Sequence, residues 1–274
     1  MCIRDSNDID YLSADYGLTA WGDAFFWHMY KYAMCLDAIP SLANSVANII
    51  KSLYGRNKKA LVLDLDNTLW GGIVGDDGVD GLAIGPEVPE GQVYAEFQSY
   101  CKALKSIGVI LAVDSKNDEA NALAGLNHPD GVLRPDDFVA IKANWEPKDL
   151  NLKAIASELN LGADSFVFAD DNPAERAIVA AQVPGVAVPA LDGAENYIKT
   201  LDHGGYFEVT ALSKEDLKKT ELYHQNAERA KAQAAFTDYG QYLDSLEMTA
   251  TVKGFEPLYI QRIAQLTNCL LYTS

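Results

Sequence analysis

From residue 60 onward the sequence alternates short apolar runs with amphipathic segments of helical length, and this rhythm constrains the fold more than any other feature. The runs 60–65, 108–113, 138–141, 165–169 and 186–188 are nearly continuous in apolar residues, as strands covered on both faces are. Between them lie segments with helical periodicity: 91–107, with Val93, Phe97, Tyr100, Cys101, Leu104 and Ile107 on one face, then 117–126, 149–159 and 173–182. Strands alternating with helices predict an α/β fold, a Rossmann-like open parallel sheet with helices on both faces.

The flanks read differently. Trp21, Phe25, Phe26, Trp27, Tyr30 and Tyr32 crowd one stretch and are expected in a core. Leu42, Val46, Ile49, Ile50 and Leu53 recur at helical spacing, and Gly55-Arg56-Asn57-Lys58-Lys59 forms the matching stop. Beyond residue 190 the periodicity predicts a long charged helix over 213–235, a strand over 247–252 and the start of a helix over 260–266. The chain therefore divides into a flank at 1–55, a core at 56–195 and a linker with further segments at 196–274.

A net charge of −17 repels phosphate backbones and anionic lipid, which argues against nucleic-acid and membrane partners. No apolar run approaches the ~20 residues that span a bilayer. Cys2, Cys35, Cys101 and Cys269 are widely separated, with no C-x-x-C pair, and fit a reduced, cytoplasmic setting better than a disulfide framework or a zinc site. His28, His128, His203 and His224 have no ligand spacing.

In open α/β sheets ligands sit at the carboxyl ends of the strands. Here those ends, or the helix starts just after them, carry Asp64, Asp66 and Thr68, then Ser115, then Lys148, then Asp170 and Asp171. A packing role does not explain an ionisable or hydroxyl group at each. Phosphoryl transfer does. Asp64 and Asp170 can hold Mg²⁺ through oxygen ligands, and Asp64 can attack phosphorus. Asp66 can protonate the leaving oxygen and later deprotonate water. Ser115 and Lys148 can hold phosphoryl oxygens, and Thr68 either joins them or closes the turn. In Asn172-Pro173-Ala174-Glu175 the pattern is N-cap, Pro at N1 and Glu at N3, so Glu175 is expected to cap rather than to bind metal.

The order Asp-x-Asp-x-Thr, Ser115, Lys148, Asp170-Asp171 resembles the four motifs of the haloacid dehalogenase (HAD) superfamily. Receiver domains place their acidic pair before the phosphorylated Asp, the reverse of this chain. The segments 63–72, Ser115-Lys116-Asn117, Asn144-Trp145-Glu146-Pro147-Lys148 and 168–176 resemble the FkbH-like (HAD-IIIC phosphatase-like) branch. That resemblance implies a HAD core and a metal set of Asp64, Asp66, Asp170 and Asp171. It implies loading of a glyceryl unit from 1,3-bisphosphoglycerate onto an acyl carrier protein, in polyketide or surface-polysaccharide biosynthesis. It also implies that residues 7–55 are the tail of an SGNH-like domain and 213–268 the lead-in to a GNAT-like domain, both truncated. Residues 1–6 and 269–274 do not resemble the family and read as foreign.

Many relatives have Cys immediately before Ser-Lys-Asn, a candidate acyl-carrying thiol; this chain has Asp114. That favours phosphate hydrolysis or an altered transfer. Gly71, Gly72, Gly75, Gly78 and Gly81 predict a flap hairpin over the site, with only a minimal cap. An uncovered site suits a carrier-borne substrate, for which Lys102, Lys105 and Lys116 are the candidate docking cations or merely a solvated face. A general small-molecule phosphatase and a non-catalytic docking module are the alternative readings.

Overall fold

The computed structural model describes residues 7–209 continuously, and beyond them only isolated positions between 222 and 264. Residues 1–227 form one compact unit and residues 228–274 a second. The helix, strand and helix expected at 213–235, 247–252 and 260–266 lie largely outside the described residues, as do both chain ends.

Four strands build one parallel sheet: β1 (Ala60–Leu63), β2 (Ile110–Ser115), β3 (Ala140–Ala143) and β4 (Phe166–Ala169). Their order is β3-β2-β1-β4, so the chain runs outward from β1 on one side and then crosses to the other. That reversal opens a crevice at the carboxyl ends of β1 and β4.

Strand alternation sorts the core into two layers. Leu61, Leu63, Leu111, Val113, Val167 and Ala169 face one side. There they meet Phe97, Cys101 and Leu104 of the helix Pro89–Ser106, Ala122 and Leu126 of Glu119–Leu126, and Leu201 of Tyr197–His203. Ala60, Val62, Ile110, Ala112, Phe166 and Phe168 face the other side. There they meet Leu152 and Ile155 of Lys148–Glu158 and Val179 of Pro173–Gln182. Helices therefore cover both faces, as the continuous apolar runs require.

In chain order the α-helices are α1 (Ile9–Tyr16), α2 (Leu18–Trp21), α3 (Ala24–Tyr30), α4 (Ile39–Leu53), α5 (Val74–Asp77), α6 (Pro89–Ser106), α7 (Glu119–Leu126), α8 (Lys148–Glu158), α9 (Pro173–Gln182) and α10 (Tyr197–His203).

Three expectations need correction. The strand expected at 186–188 is a single bridge between Val167 and Ala187. Its backbone hydrogen bonds, Phe168 N to Ala187 O at 2.8 Å and Ala187 N to Phe166 O at 3.0 Å, are too few to extend a ladder. The flap is not a hairpin: Gly71 and Ala83 make one antiparallel bridge, and α5 with a 3-10 turn (Val79–Gly81) fills the loop. The aromatic flank is not core. Of its residues only Trp21 is buried; Phe25, Trp27, Tyr30 and Tyr32 are exposed. α4 has the amphipathic spacing but buries no residue. Periodicity identifies an apolar stripe, not the surface that covers it. No helix among the described residues is long and apolar enough to cross a membrane.

Candidate active site

The turn after β1 carries the first acidic cluster. Asn67 adopts a left-handed conformation (φ 54°), which Asn tolerates better than most residues. Its side-chain oxygen accepts from Gly72 N at 3.0 Å and its carbonyl accepts from the Tyr197 hydroxyl at 3.0 Å. This pinned turn leaves Asp64 and Thr68 buried at the sheet edge. Thr68 Oγ1 accepts from the Asp171 N–H at 3.3 Å, so it ties the β1 turn to the β4 turn.

The β4 turn carries Asp170 and Asp171. Asp170 Oδ1 accepts from Asn172 N at 2.8 Å, and the Asn172 side chain caps α9 by accepting from Ala174 N at 2.9 Å. Arg176, itself buried, donates to the carbonyls of Asp170 (2.9 Å), Asp171 (2.7 Å) and Leu191 (2.9 Å). A guanidinium has enough donors in a fixed fork to clamp such a turn. The sequence offered Arg176 only as part of a resemblance; its place one turn into the helix after the acidic pair is the signal that points to this clamp.

Lys148 begins α8 and is 3% exposed. Its ammonium bridges Asp64 Oδ2 at 2.9 Å and Asp170 Oδ2 at 2.6 Å. Burial alone would lower its pKa, but the two carboxylates outweigh burial and hold it above the usual lysine value. The structure thus brings together Asp64, Lys148, Asp170 and Asp171. Ser115 ends β2 at the same sheet edge, buried, its carbonyl accepting from Asn117 N and Asn144 N, each at 3.1 Å.

The Asp66 carboxylate has partners of its own. Carboxylate oxygens of Asp64, Asp170 and Asp171 lie within 4.8 Å of one another, and Asp66 is not in that group. Its carboxylate is occupied elsewhere. Oδ1 accepts from Trp70 Nε1 at 2.8 Å and Val74 N at 3.0 Å, and Oδ2 from Asn117 Nδ2 at 2.8 Å. Burial raises its pKa despite these donors. A half-buried carboxyl with a raised pKa and fixed orientation has the properties of a general acid.

Glu175 departs from its expected capping role. Its carboxylate pairs with Lys116 at 2.5 Å, and Asn172 caps α9 alone. Lys102 and Lys105 both engage Asp137, at 3.4 and 2.7 Å. The three lysines are therefore each partnered by carboxylates and do not make a free basic patch.

Three carboxylates gathered around one ammonium are under-neutralised. Burial first, then the Asp64 charge, pushes the pKa values of Asp170 and Asp171 up. Asp64 Oδ1 is buried and has no hydrogen-bond partner among the described residues. An all-oxygen donor set with an unpartnered carboxylate oxygen fits a hard divalent cation such as Mg²⁺.

No family model matches the chain, and no curated protein matches it. A solved phosphatase domain does. It is the crystal structure of the N-terminal part of the protein BF1531 from Bacteroides fragilis, containing a phosphatase domain and complexed with Mg. The two are 40% identical, with a TM-score of 0.71, over 74% of this chain and 55% of that one. This chain thus spans little more than half of its neighbour's length. At that identity the shared α/β fold is firm.

Proposed function

We propose that this protein is a Mg²⁺-dependent phosphatase of the HAD type, working through an aspartyl-phosphate on Asp64. The observation that carries the reading is the Asp64–Lys148–Asp170 bridge beside Asp171, with Asp64 Oδ1 left free to engage a ligand. The Mg-complexed phosphatase domain with the same fold supports it. Asp64, Asp170 and Asp171 would hold the ion, which supplies positive charge where carboxylates and phosphate would otherwise repel.

Asp64 attacks phosphorus as the bond to the leaving oxygen breaks. Asp66 hands a proton to that oxygen. In the second half Asp66 takes a proton from water as it attacks the aspartyl-phosphate, which releases phosphate and restores Asp64. Lys148, with Ser115 at the end of the neighbouring strand, holds phosphoryl oxygens as charge shifts. Thr68 holds the two catalytic turns together through the Asp171 N–H.

The finer assignment we propose is the FkbH-like branch, with a phosphorylated, carrier-borne acyl substrate and an acyl carrier protein as partner. The small insertion after β1, α5 and one 3-10 turn before α6, leaves a site without a domain-sized cap, which suits a large substrate. With Asp114 where a thiol would carry the acyl group, we assign phosphate release rather than glyceryl transfer. The flanks 1–55 and 196–274 belong, on this reading, to SGNH-like and GNAT-like neighbours of the core at 56–195, and the protein works in the cytoplasm.

Asp64→Asn tests the reading. It is expected to abolish Mg²⁺-dependent phosphate release while the melting curve stays cooperative. Release at the wild-type rate by the purified variant would refute it.

A further inference from the structure

Asp114 is fully buried one residue before Ser115, yet the proposed chemistry gives it no task. Its parity in β2 matches Ala112, so it faces the α8 side of the sheet, as Asp64 does on β1. There Asn151 Nδ2 donates to Asp114 Oδ1 at 3.1 Å. Asn151 and Asn144 also pair reciprocally. Asn151 Nδ2 donates to Asn144 Oδ1 at 2.9 Å, and Asn144 Nδ2 donates to Asn151 Oδ1 at 3.2 Å. The Asn144 backbone N–H then donates to the Ser115 carbonyl at 3.1 Å. Asn151 lies three residues after Lys148 on α8, so the two share a helix face. A closed circuit results, from the end of β2 through two amides to the first turn of α8.

Helix economy does not explain this Asn. Asparagine is a poor helix former, and a buried polar network is costly where a member is left unsatisfied, as Asp114 Oδ2 is among the described residues. Leu152 and Ile155 already pack α8 on the sheet. Packing, however, fixes a helix less sharply along its axis than directional hydrogen bonds do, and Lys148 must reach Asp64 and Asp170 at once.

We propose that Asp114, Asn151 and Asn144 are positioning residues that lock α8 to the end of β2 and thereby hold Lys148 in register with Ser115 for binding a phosphoryl group. The inference rests on the phosphatase reading above. Asn151→Leu removes the central donor at similar volume. It is expected to lower kcat/KM by roughly 10- to 100-fold, since an ångström of misplacement can be worth about 10²-fold. The loss falls mainly on KM, and the affinity for inorganic phosphate, measured by calorimetry in the presence of Mg²⁺, falls by a similar factor.

The double variant Asp114→Leu/Asn151→Leu separates positioning from stability. Replacing both partners of a buried hydrogen bond with apolar groups of similar shape is often nearly neutral for folding, and Asn144, which loses its bonds to Asn151, is half-exposed and keeps the bond from Glu146 N at 3.0 Å. The double variant is therefore expected to regain most of the melting temperature lost in Asn151→Leu, while its phosphate affinity and kcat/KM stay low. Asp114→Asn, which keeps an acceptor for Asn151, is expected to lose far less than either. Asn151→Ser carries the single-variant comparison if Asn151→Leu does not accumulate as folded protein.

A double variant with wild-type kcat/KM and phosphate affinity would overturn the proposal, as would activity in all variants that simply follows melting temperature. A wild-type protein that releases no phosphate with Mg²⁺ would instead sink the phosphatase reading itself.

Discussion

Gly125, in α7, faces the indole of Trp70. A Cβ at Gly125 would lie 2.8 Å from Trp70 Cη2 and 2.9 Å from Cζ2. Trp70 is fully buried, and its Nε1 is committed to Asp66 Oδ1 at 2.8 Å. The ring cannot swing away without loosening the proposed general acid. Two effects oppose each other in Gly125→Ala. Helix propensity favours Ala by roughly 0.8–1.0 kcal/mol. Overpacking a filled core disfavours it by about 1–3 kcal/mol. The contact at 2.8 Å is closer than real Cβ atoms come, so the second effect should win, by ~1 kcal/mol or a drop of about 2–4 °C in Tm for a domain of this size. Gly75→Ala, where a Cβ meets nothing closer than 3.8 Å, is the control and should not destabilise.

The assay is a melting curve together with kcat/KM on two phosphate esters, one with a good aryl leaving group and one with a poor alkyl leaving group. Displacing Asp66 weakens leaving-group protonation, so the alkyl ester should lose several-fold more than the aryl ester, within the ~10²–10⁴-fold ceiling of general acid catalysis. A Gly125→Ala protein that melts higher than wild type and hydrolyses both esters normally would refute the reasoning.

Mg²⁺ at millimolar concentration should raise the wild-type Tm by binding linkage and should do so much less in Asp170→Asn; equal shifts in the two proteins would count against the metal site. Burial pushes the Asp114 carboxyl up to about 8, against the hydrogen bond from Asn151 and the Lys148 charge. The folded state then keeps a proton that the unfolded chain, with its ordinary value near 3.8, releases. Wild type should therefore lose stability relative to Asp114→Asn as pH climbs from about 4 to about 8 without Mg²⁺; parallel curves of Tm against pH would exclude this. Intact-protein mass spectrometry after incubation with 1,3-bisphosphoglycerate should show no glyceryl increment on the native chain, and an increment would mean that another group accepts the acyl unit.

Much of the site was legible because the sheet obliges it to be. Continuous apolar runs located β1, β2 and β4, and Asp64, Asp170 and Asp171, just past β1 and β4, bring carboxylate oxygens together. The misreadings share a cause: they concern partners rather than positions. Glu175 sits where a cap would, but Lys116 is within reach and takes it. The partners of the Asp66 carboxylate, Trp70, Val74 and Asn117, were likewise not legible from its position in the turn. The aromatic flank has core composition, yet Phe25 and Trp27 meet too little of the described chain to be covered. Asn151 gave one clue, a weak helix former in an otherwise ordinary helix.

The alternation that sends Leu63 to one layer and Val62 to the other also makes the chain a reading frame in the mutational sense. Asp64 reaches Lys148 because four residues of β1 set its parity. Inserting or deleting a single residue within 60–63 would swap the two layers of β1 and turn the residue at the proposed nucleophile's place toward α6 instead of α8. The same holds for β2 and Asp114. Length variation in this protein should therefore be confined to the loops before and after these strands. Libraries of single-codon insertions scored for phosphate release should show sharp gaps at 60–64 and 110–115, with tolerance between them at the exposed residues 86–88.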